Sequence, residues 1–291
     1  MAVATSTGTA GVRAPNWWLK LVEKIVTHAA LIVLSVMFLI PFFWMVSGSL
    51  KTGEDLNAFP VVWFPDTLTL ENYVAGLQVF PFGRYLFNTL IICVFSMIGA
   101  VLSSSFVAYG LSRIEWRWRT PLFVILLSTL MVPFYVTMVP LFTMFRGLGW
   151  TNTYLPLIVP HFFGVPFFIF LLRQFFLSIP REMSESARLD GANELVIYWR
   201  IILPLAKPAL AAVALFQFLA SWNDLLGPLI YLSDADSYTL SLGLTFFRGE
   251  YATQFGPLMA ASTVVVIPVI VVFFFAQRTF IQGITLTGVK G

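Results

Sequence analysis

Charge is scarce in this 291-residue chain: Asp, Glu, Lys and Arg together make up 11% of it. A soluble domain carries about 25%, so a free-standing soluble protein is excluded. There is one cysteine, Cys93, which rules out an intrachain disulfide and leaves no metal-ligand spacing. The two histidines, His28 and His161, have no His, Cys or carboxylate three or four residues on, so each reads as a packed helix residue and no metal site is expected. No G-x-x-x-x-G-K-[ST] loop occurs, so the chain is not expected to bind ATP in the P-loop manner. Two histidines and one cysteine supply no nucleophile–base set, which leaves an intramembrane enzyme unsupported. Alternating ten-residue segments, the mark of an outer-membrane barrel, are also missing. No internal repeat, low-complexity tract or separate soluble domain interrupts the chain.

What is abundant is apolar sequence: 58% of residues are hydrophobic and mean hydropathy is +0.86. Six runs are each about 20 residues or longer, enough to cross the hydrocarbon core. They lie at Ile25–Ser49, Tyr85–Leu111, Pro121–Phe145, Thr153–Phe176, Pro208–Leu232 and Pro257–Phe280. In lipid every backbone polar group must be satisfied within the segment, so each run is read as a helix. The fold class is an all-α polytopic membrane protein. Residues 1–24 are expected to form a cytoplasmic segment, 25–282 one transmembrane domain and 283–291 a cytoplasmic tail. The first helix is too long for a signal peptide and is expected to be retained.

Alternating loops place thirteen of the seventeen basic residues on one side, with Lys51, Arg84, Arg146 and Arg248 on the other. The positive-inside rule then puts both termini in the cytoplasm. Two longer loops face outward. In the first, Thr69 is read as capping a brief helix, and Trp63, Phe64, Phe80 and Phe82 suit an interfacial aromatic belt.

The stretch "REMSESARLDGANELVIYWRIILPLAKP" (181–208) stands apart as a dense mixed-charge island. Pro180 favours a helix start, and Glu182 and Glu185 then complement its dipole. Asp190-Gly191 reads as a bend needing positive φ. A second, more apolar helix is expected to end before Pro204. A solvated linker has no need of two ordered helices or of Ser186, Ala187 and Gly191 at helical spacing. A docking element for a cytoplasmic partner fits better.

Glu185-Ser186-Ala187, three residues, Gly191, nine residues, Ile201, one residue, Leu203-Pro204 resembles the EAA motif of ABC importer permeases, departing from it only at Ser186. From Lys24 to Gly291 the chain resembles the shorter permease of carbohydrate importers of the maltose and glycerol-phosphate type. The resemblance rests on "NYVAGLQVFPFGRYLFNTL", "FLASWNDLLGPLIYL" and "GITLTGVKG" as well. It implies a type I importer permease fold with a cytoplasmic coupling helix in loop 181–204. The coupling residues would be Glu185, Ser186, Ala187, Asp190, Gly191, Ile201, Leu203 and Pro204. It also implies a second homologous permease, a dimeric ATPase holding ATP and Mg, and an extracytoplasmic solute-binding protein. The location would be a bacterial or archaeal cytoplasmic membrane, in contact with lipid and with no nucleic-acid partner. The tail, read as extended, would reach the interface between the ATPase subunits.

Polar residues inside spans point to a pathway. Trp222, Asn223 and Asp224 are candidates: an indole to stack on a sugar face, an amide and a carboxylate for its hydroxyls. A bracing role for Asn223 and Asp224 between helices is the competing reading and carries more weight. Asn88, Thr89, Gln217 and Ser221 are also polar, while Ser103, Ser104 and Ser105 read as helix-packing residues. Pro133, Pro140, Pro156, Pro160 and Pro166 invite kinks in the third and fourth spans. A self-sufficient secondary transporter or channel is the alternative; it needs several buried coupling charges, and only Asp224 qualifies.

Overall fold

The computed structural model describes residues 17–65, 67–248 and 254–288, with side chains through Gln277. Of the basic residues counted above, Arg13 and Lys290 lie outside these. The described chain is helical, with four helices long and apolar enough to cross a membrane, or six if two bent pairs each count as one span. In order the helices are α1 (Trp17–Ser49), α2 (Gly53–Asn57), α3 (Glu71–Gln78), α4 (Phe82–Ser112), α5 (Arg119–Thr129), α6 (Phe134–Gly147) and α7 (Leu155–Ile158). After a 3-10 turn at Val159–Phe163 come α8 (Pro166–Ser178), α9 (Glu182–Leu189) and α10 (Glu194–Ile197). A π turn (Tyr198–Ile202) leads to α11 (Leu203–Leu205), α12 (Lys207–Trp222), α13 (Leu226–Tyr231), α14 (Leu240–Gly243) and α15 (Phe255–Gly288).

The hub is α4. It packs against α8, α12 and the 3-10 turn, while α15 lies on α1, α3 and α12. One core joins the last turns of α4 to α8 and to the 197–213 stretch, around Leu172, Phe176, Ile197 and Ile202. A second surrounds Phe80, Tyr85, Phe218 and Trp222. Phe80, expected in an aromatic belt, is therefore a core residue, 4% exposed and stacked on Tyr85. The short 79–81 turn points it inward, which its position beside prolines does not reveal.

The third and fifth spans are broken where single crossings are expected. α5 and α6 meet at 96°, because Pro133 lacks an N–H and sits extended at the break. Within the fifth apolar run the helix stops at Trp222. Asp224 Oδ1 there accepts the Gly227 N–H at 3.0 Å and starts α13 afresh, and Pro228 cannot donate back to the carbonyl four residues earlier. At the other end, α1 begins at Trp17, so the last part of the expected N-terminal segment is already helical. The final helix runs on to Gly288, so the tail read as extended is helical to that point; no proline follows Pro268 to stop its propagation.

Outside α1, the chain is tied back by Asn72, whose Nδ2 donates to the Ser49 and Lys51 carbonyls. Thr69 Oγ1 accepts from Glu71 N, although Leu70 occupies the cap position of α3. Lys51 is fully buried, its Nζ donating to the Val62 carbonyl and lying 4.0 Å from the Trp44 ring centroid. Burial lowers its ammonium pKa, partly offset by Asp55. The aliphatic stem covers apolar surface independently of the charge. Lys51→Met is therefore expected to shift unfolding by less than about 1.5 kcal/mol, and Lys51→Ala to cost about 2 kcal/mol or more. Thermal denaturation of the purified complex monitored by tryptophan fluorescence checks this; equal losses would show that the charge, not the stem, matters.

Candidate functional site: an exposed charged loop and a polar-edged cavity

The mixed-charge island forms two helical limbs. Glu182 and Glu185 occupy the first turn of α9. Gly191 adopts φ +84° at the bend. A Cβ built there would meet nothing within 4 Å, so the backbone conformation, not internal crowding, requires glycine. Asn193 Oδ1 then accepts the Val196 N–H and caps α10. The second limb does not end before Pro204. A π turn precedes it, with the Leu203 N–H reaching back to the Tyr198 carbonyl, and this wider winding accommodates the proline. The 78° bend falls between Leu205 and Lys207 instead.

The motif residues divide by role. Glu185, Ser186, Asp190 and Gly191 are exposed, and Ala187 is half-buried. Ser186 Oγ donates to the Glu182 carbonyl, keeping the small side chain folded onto its own helix. Ile201 and Leu203 pack against the α4–α8 core, and Pro204 lies exposed at the bend. The first group lies on the exposed face of the loop; Ile201 and Leu203 of the second anchor it. Leu189, 90% exposed beside the bend, adds an apolar knob that the charge pattern hides.

Arg188 Nε donates to Glu194 Oε1 at 2.8 Å, and Tyr109 Oη on α4 donates to Glu194 Oε2 at 2.5 Å. The hydrogen bond from Arg188 holds the Glu194 carboxyl below the usual carboxylate range and raises Arg188 above its own. Neither Tyr109 nor Glu194 stands out in the sequence. Their 85-residue separation gives no local signal.

Elsewhere in the fold, α4, α6, α7, the 3-10 turn, α12 and α13 line an open cavity of about 690 Å³. Phe145, Trp150 and Tyr231 line it with His161, Gln217, Ser221 and Asp224. Gln217 Nε2 donates to Ser221 Oγ at 2.9 Å, Ser221 Oγ lies 2.8 Å from Ser96 Oγ on α4, and His161 Nε2 is 3.4 Å from Gln217 Nε2. His161 is thus not the isolated helix residue expected. It sits in the 3-10 turn, where spacing along one helix cannot find a partner 56 residues away.

The three candidates of the fifth span separate. Asp224 borders the cavity while its Oδ1 accepts the Gly227 N–H in the first turn of α13, whose cap position is Leu225. Trp222 is 2% exposed, stacked on Phe218 in the neighbouring core and not on the cavity wall. Asn223 is exposed and donates to the Leu219 carbonyl of its own helix. Asn88 and Thr89 hold the loop that follows α13, Asn88 donating to the Asp236 and Tyr238 carbonyls and Thr89 accepting from Leu240 N.

This architecture has known counterparts. Residues 100–286 match the family described as the binding-protein-dependent transport system inner membrane component. The arabinooligosaccharides transport system permease protein AraQ of Bacillus subtilis (strain 168) is 35% identical over 276 residues, covering 93% of this chain and 97% of that protein. The diacetylchitobiose uptake system permease protein NgcG of Streptomyces coelicolor is 34% identical, covering 87% and 84%. A chain from the crystal structure of a bacterial ABC transporter that imports the acidic polysaccharide alginate superposes with a TM-score of 0.78. It is 26% identical, with 95% of this chain and 100% of that one covered. A match over more than half the chain, and a relative 35% identical over nearly its whole length, leave one conclusion: the chain belongs to the inner-membrane components of binding-protein-dependent transport systems, the permeases of ABC importers.

Proposed function

We propose that this permease moves a sugar or sugar-like solute into the cell and couples that movement to a separate ATPase through loop 181–204. The observation that carries the sugar reading is the lining of the cavity. Aromatic rings at Phe145, Trp150 and Tyr231 share it with the polar edge of His161, Gln217, Ser221 and Asp224. A sugar offers CH faces to the former and hydroxyls to the latter, and pockets that take small molecules combine apolar walls with a few placed polar groups. Two relatives named for oligosaccharide uptake support it.

The proposed assembly contains a second homologous permease, an ATPase pair carrying ATP and Mg, and an extracytoplasmic solute-binding protein. The basic-residue distribution supports an orientation with both termini and the docking loop in the cytoplasm. Glu185, Ser186, Ala187, Asp190 and Gly191 would meet the ATPase, with Ile201, Leu203 and Pro204 seating the loop. A self-sufficient transporter or channel would leave this exposed docking element without a role.

Asp224 tests the pathway. Its carboxylate is expected to accept a solute hydroxyl at the cavity edge, and a hydrogen bond to a charged group contributes about 1.5–3 kcal/mol. Asp224→Asn should therefore raise the half-saturating solute concentration about tenfold or more with assembly and basal ATP hydrolysis intact. Uptake of labelled oligosaccharides into proteoliposomes measures this; unchanged uptake by an intact complex would remove Asp224 from the pathway.

A further inference from the structure

We propose that Glu194 is a positioning residue that transmits movement of the docking helix α9 to the membrane hub α4. This rests on the coupling reading of loop 181–204. It adds a residue outside the exposed docking face.

α9 itself buries little: only Ser184 is fully enclosed, and Ala187 alone reaches the core. Side-chain ties therefore matter more here than packing. Near the start of α9, Arg181 pairs with Glu115 at 2.8 Å, but both are well exposed, and such pairs contribute little. At the far end of α9, Arg188 meets Glu194, which belongs to the second limb and simultaneously receives the Tyr109 hydroxyl. Tyr109 is 3% exposed, and its ring packs edge-on to Tyr198 at 5.2 Å. Tyr198 Oη in turn lies 2.8 Å from Ser105 Oγ. Ser105 and Tyr109 are four residues apart on α4, so they present one face to the second limb. Glu194 is the residue that also reaches α9.

The same helix continues to the cavity. Ser96 of α4 lies 2.8 Å from Ser221, which borders it together with Gln217. A displacement of α9 thus has a route of charged and neutral hydrogen bonds into a helix that touches the cavity edge. Glu194 is where that route begins, because both its carboxylate oxygens are engaged, one on each side. The Arg188–Glu194 pair, its side chains 40% and 42% exposed, contributes little by itself; the bond from the buried Tyr109 hydroxyl to the same carboxylate is the stronger, geometrically restrictive one.

The test uses the full complex reconstituted in lipid with its ATPase and solute-binding protein. Glu194→Gln keeps size and hydrogen-bonding atoms but weakens the bond to Arg188; Tyr109→Phe removes only the hydroxyl. Each variant is expected to keep co-purification with the ATPase and the wild-type thermal midpoint. The ATP hydrolysed per solute imported should rise about tenfold, the ratio corresponding to a single charge-assisted bond. The exchange Arg188→Glu with Glu194→Arg should restore much of the ratio. An unchanged ratio in Glu194→Gln overturns the proposal. So does a lowered thermal midpoint with an unchanged ratio in Tyr109→Phe, which would make the network purely structural. Loss of ATPase co-purification in Glu194→Gln overturns it too, since the residue would then serve docking itself. Failure of the coupling reading shows elsewhere, in Glu185 and Gly191 variants that still bind and drive the ATPase normally.

Discussion

Gly191→Asp and Glu185→Lys are expected to insert normally and to lose the partner ATPase. Gly191 holds φ +84°, a region that costs residues with a Cβ about 1–2 kcal/mol. That cost acts directly on the angle between α9 and α10, against the Arg188–Glu194 bond and the Ala192 N–H to the Ala187 carbonyl that also hold it. The site is open within this chain, so an aspartate side chain has room but projects toward the docking surface. Its charge would then be buried against the partner without a counter-ion, which costs several kcal/mol. Together these weaken association by at least about a hundredfold, at 1.4 kcal/mol per factor of ten. Glu185→Lys has no backbone cost, because Glu185 is an exposed position in a regular helix. Its effect is charge reversal at the interface. Gly191→Ala separates the two contributions: it adds strain without charge and should lose roughly tenfold. Co-purification of tagged ATPase with each variant, at equal membrane expression, measures this. Full retention of the ATPase by both Gly191→Asp and Glu185→Lys would show that loop 181–204 is not the docking element.

The second large effect is expected where α3 meets α15, at Gly76→Leu. A Cβ added to Gly76 would lie 2.6 Å from the Pro257 carbonyl oxygen, a backbone atom that no rotamer change can move aside. α3 therefore crosses the start of α15 at a distance only glycine permits. A leucine there forces α3 outward and strains its tether, since Asn72 on the same helix holds the Ser49 and Lys51 carbonyls. Overpacking of this kind costs about 1–3 kcal/mol, and loss of the two amide bonds adds about 1 kcal/mol each. The thermal midpoint of the purified complex should fall by several degrees. Gly76→Ala should show a smaller loss of the same sign. A midpoint within a degree of wild type for Gly76→Leu would mean that α3 is free to part from α15.

Much of this molecule was legible without coordinates because lipid leaves the backbone so few options. With no water to satisfy N–H and C=O groups, apolar runs near 20 residues become helices whatever surrounds them. Placing α1, α4 and α15 needed no tertiary information. The island was legible for a related reason: proline starts, acidic first turns and a glycine bend are local backbone chemistry, and Gly191 adopts the positive φ its position asks for. What the one-dimensional pattern could not determine is where helices break and which distant residues meet. Hydropathy is blind to the 96° turn at Pro133 and to the restart of helix after Asp224, since apolar residues continue through both. Adjacency in the sequence grouped Trp222 with Asp224, yet α12 ends between them, and the indole packs in the core while the carboxylate borders the cavity. His161 with Gln217, and Tyr109 with Glu194, are joined only by the crossing of α4, α12 and the docking loop. Such contacts depend on the approach of helix surfaces in three dimensions, and only the tertiary structure decides them.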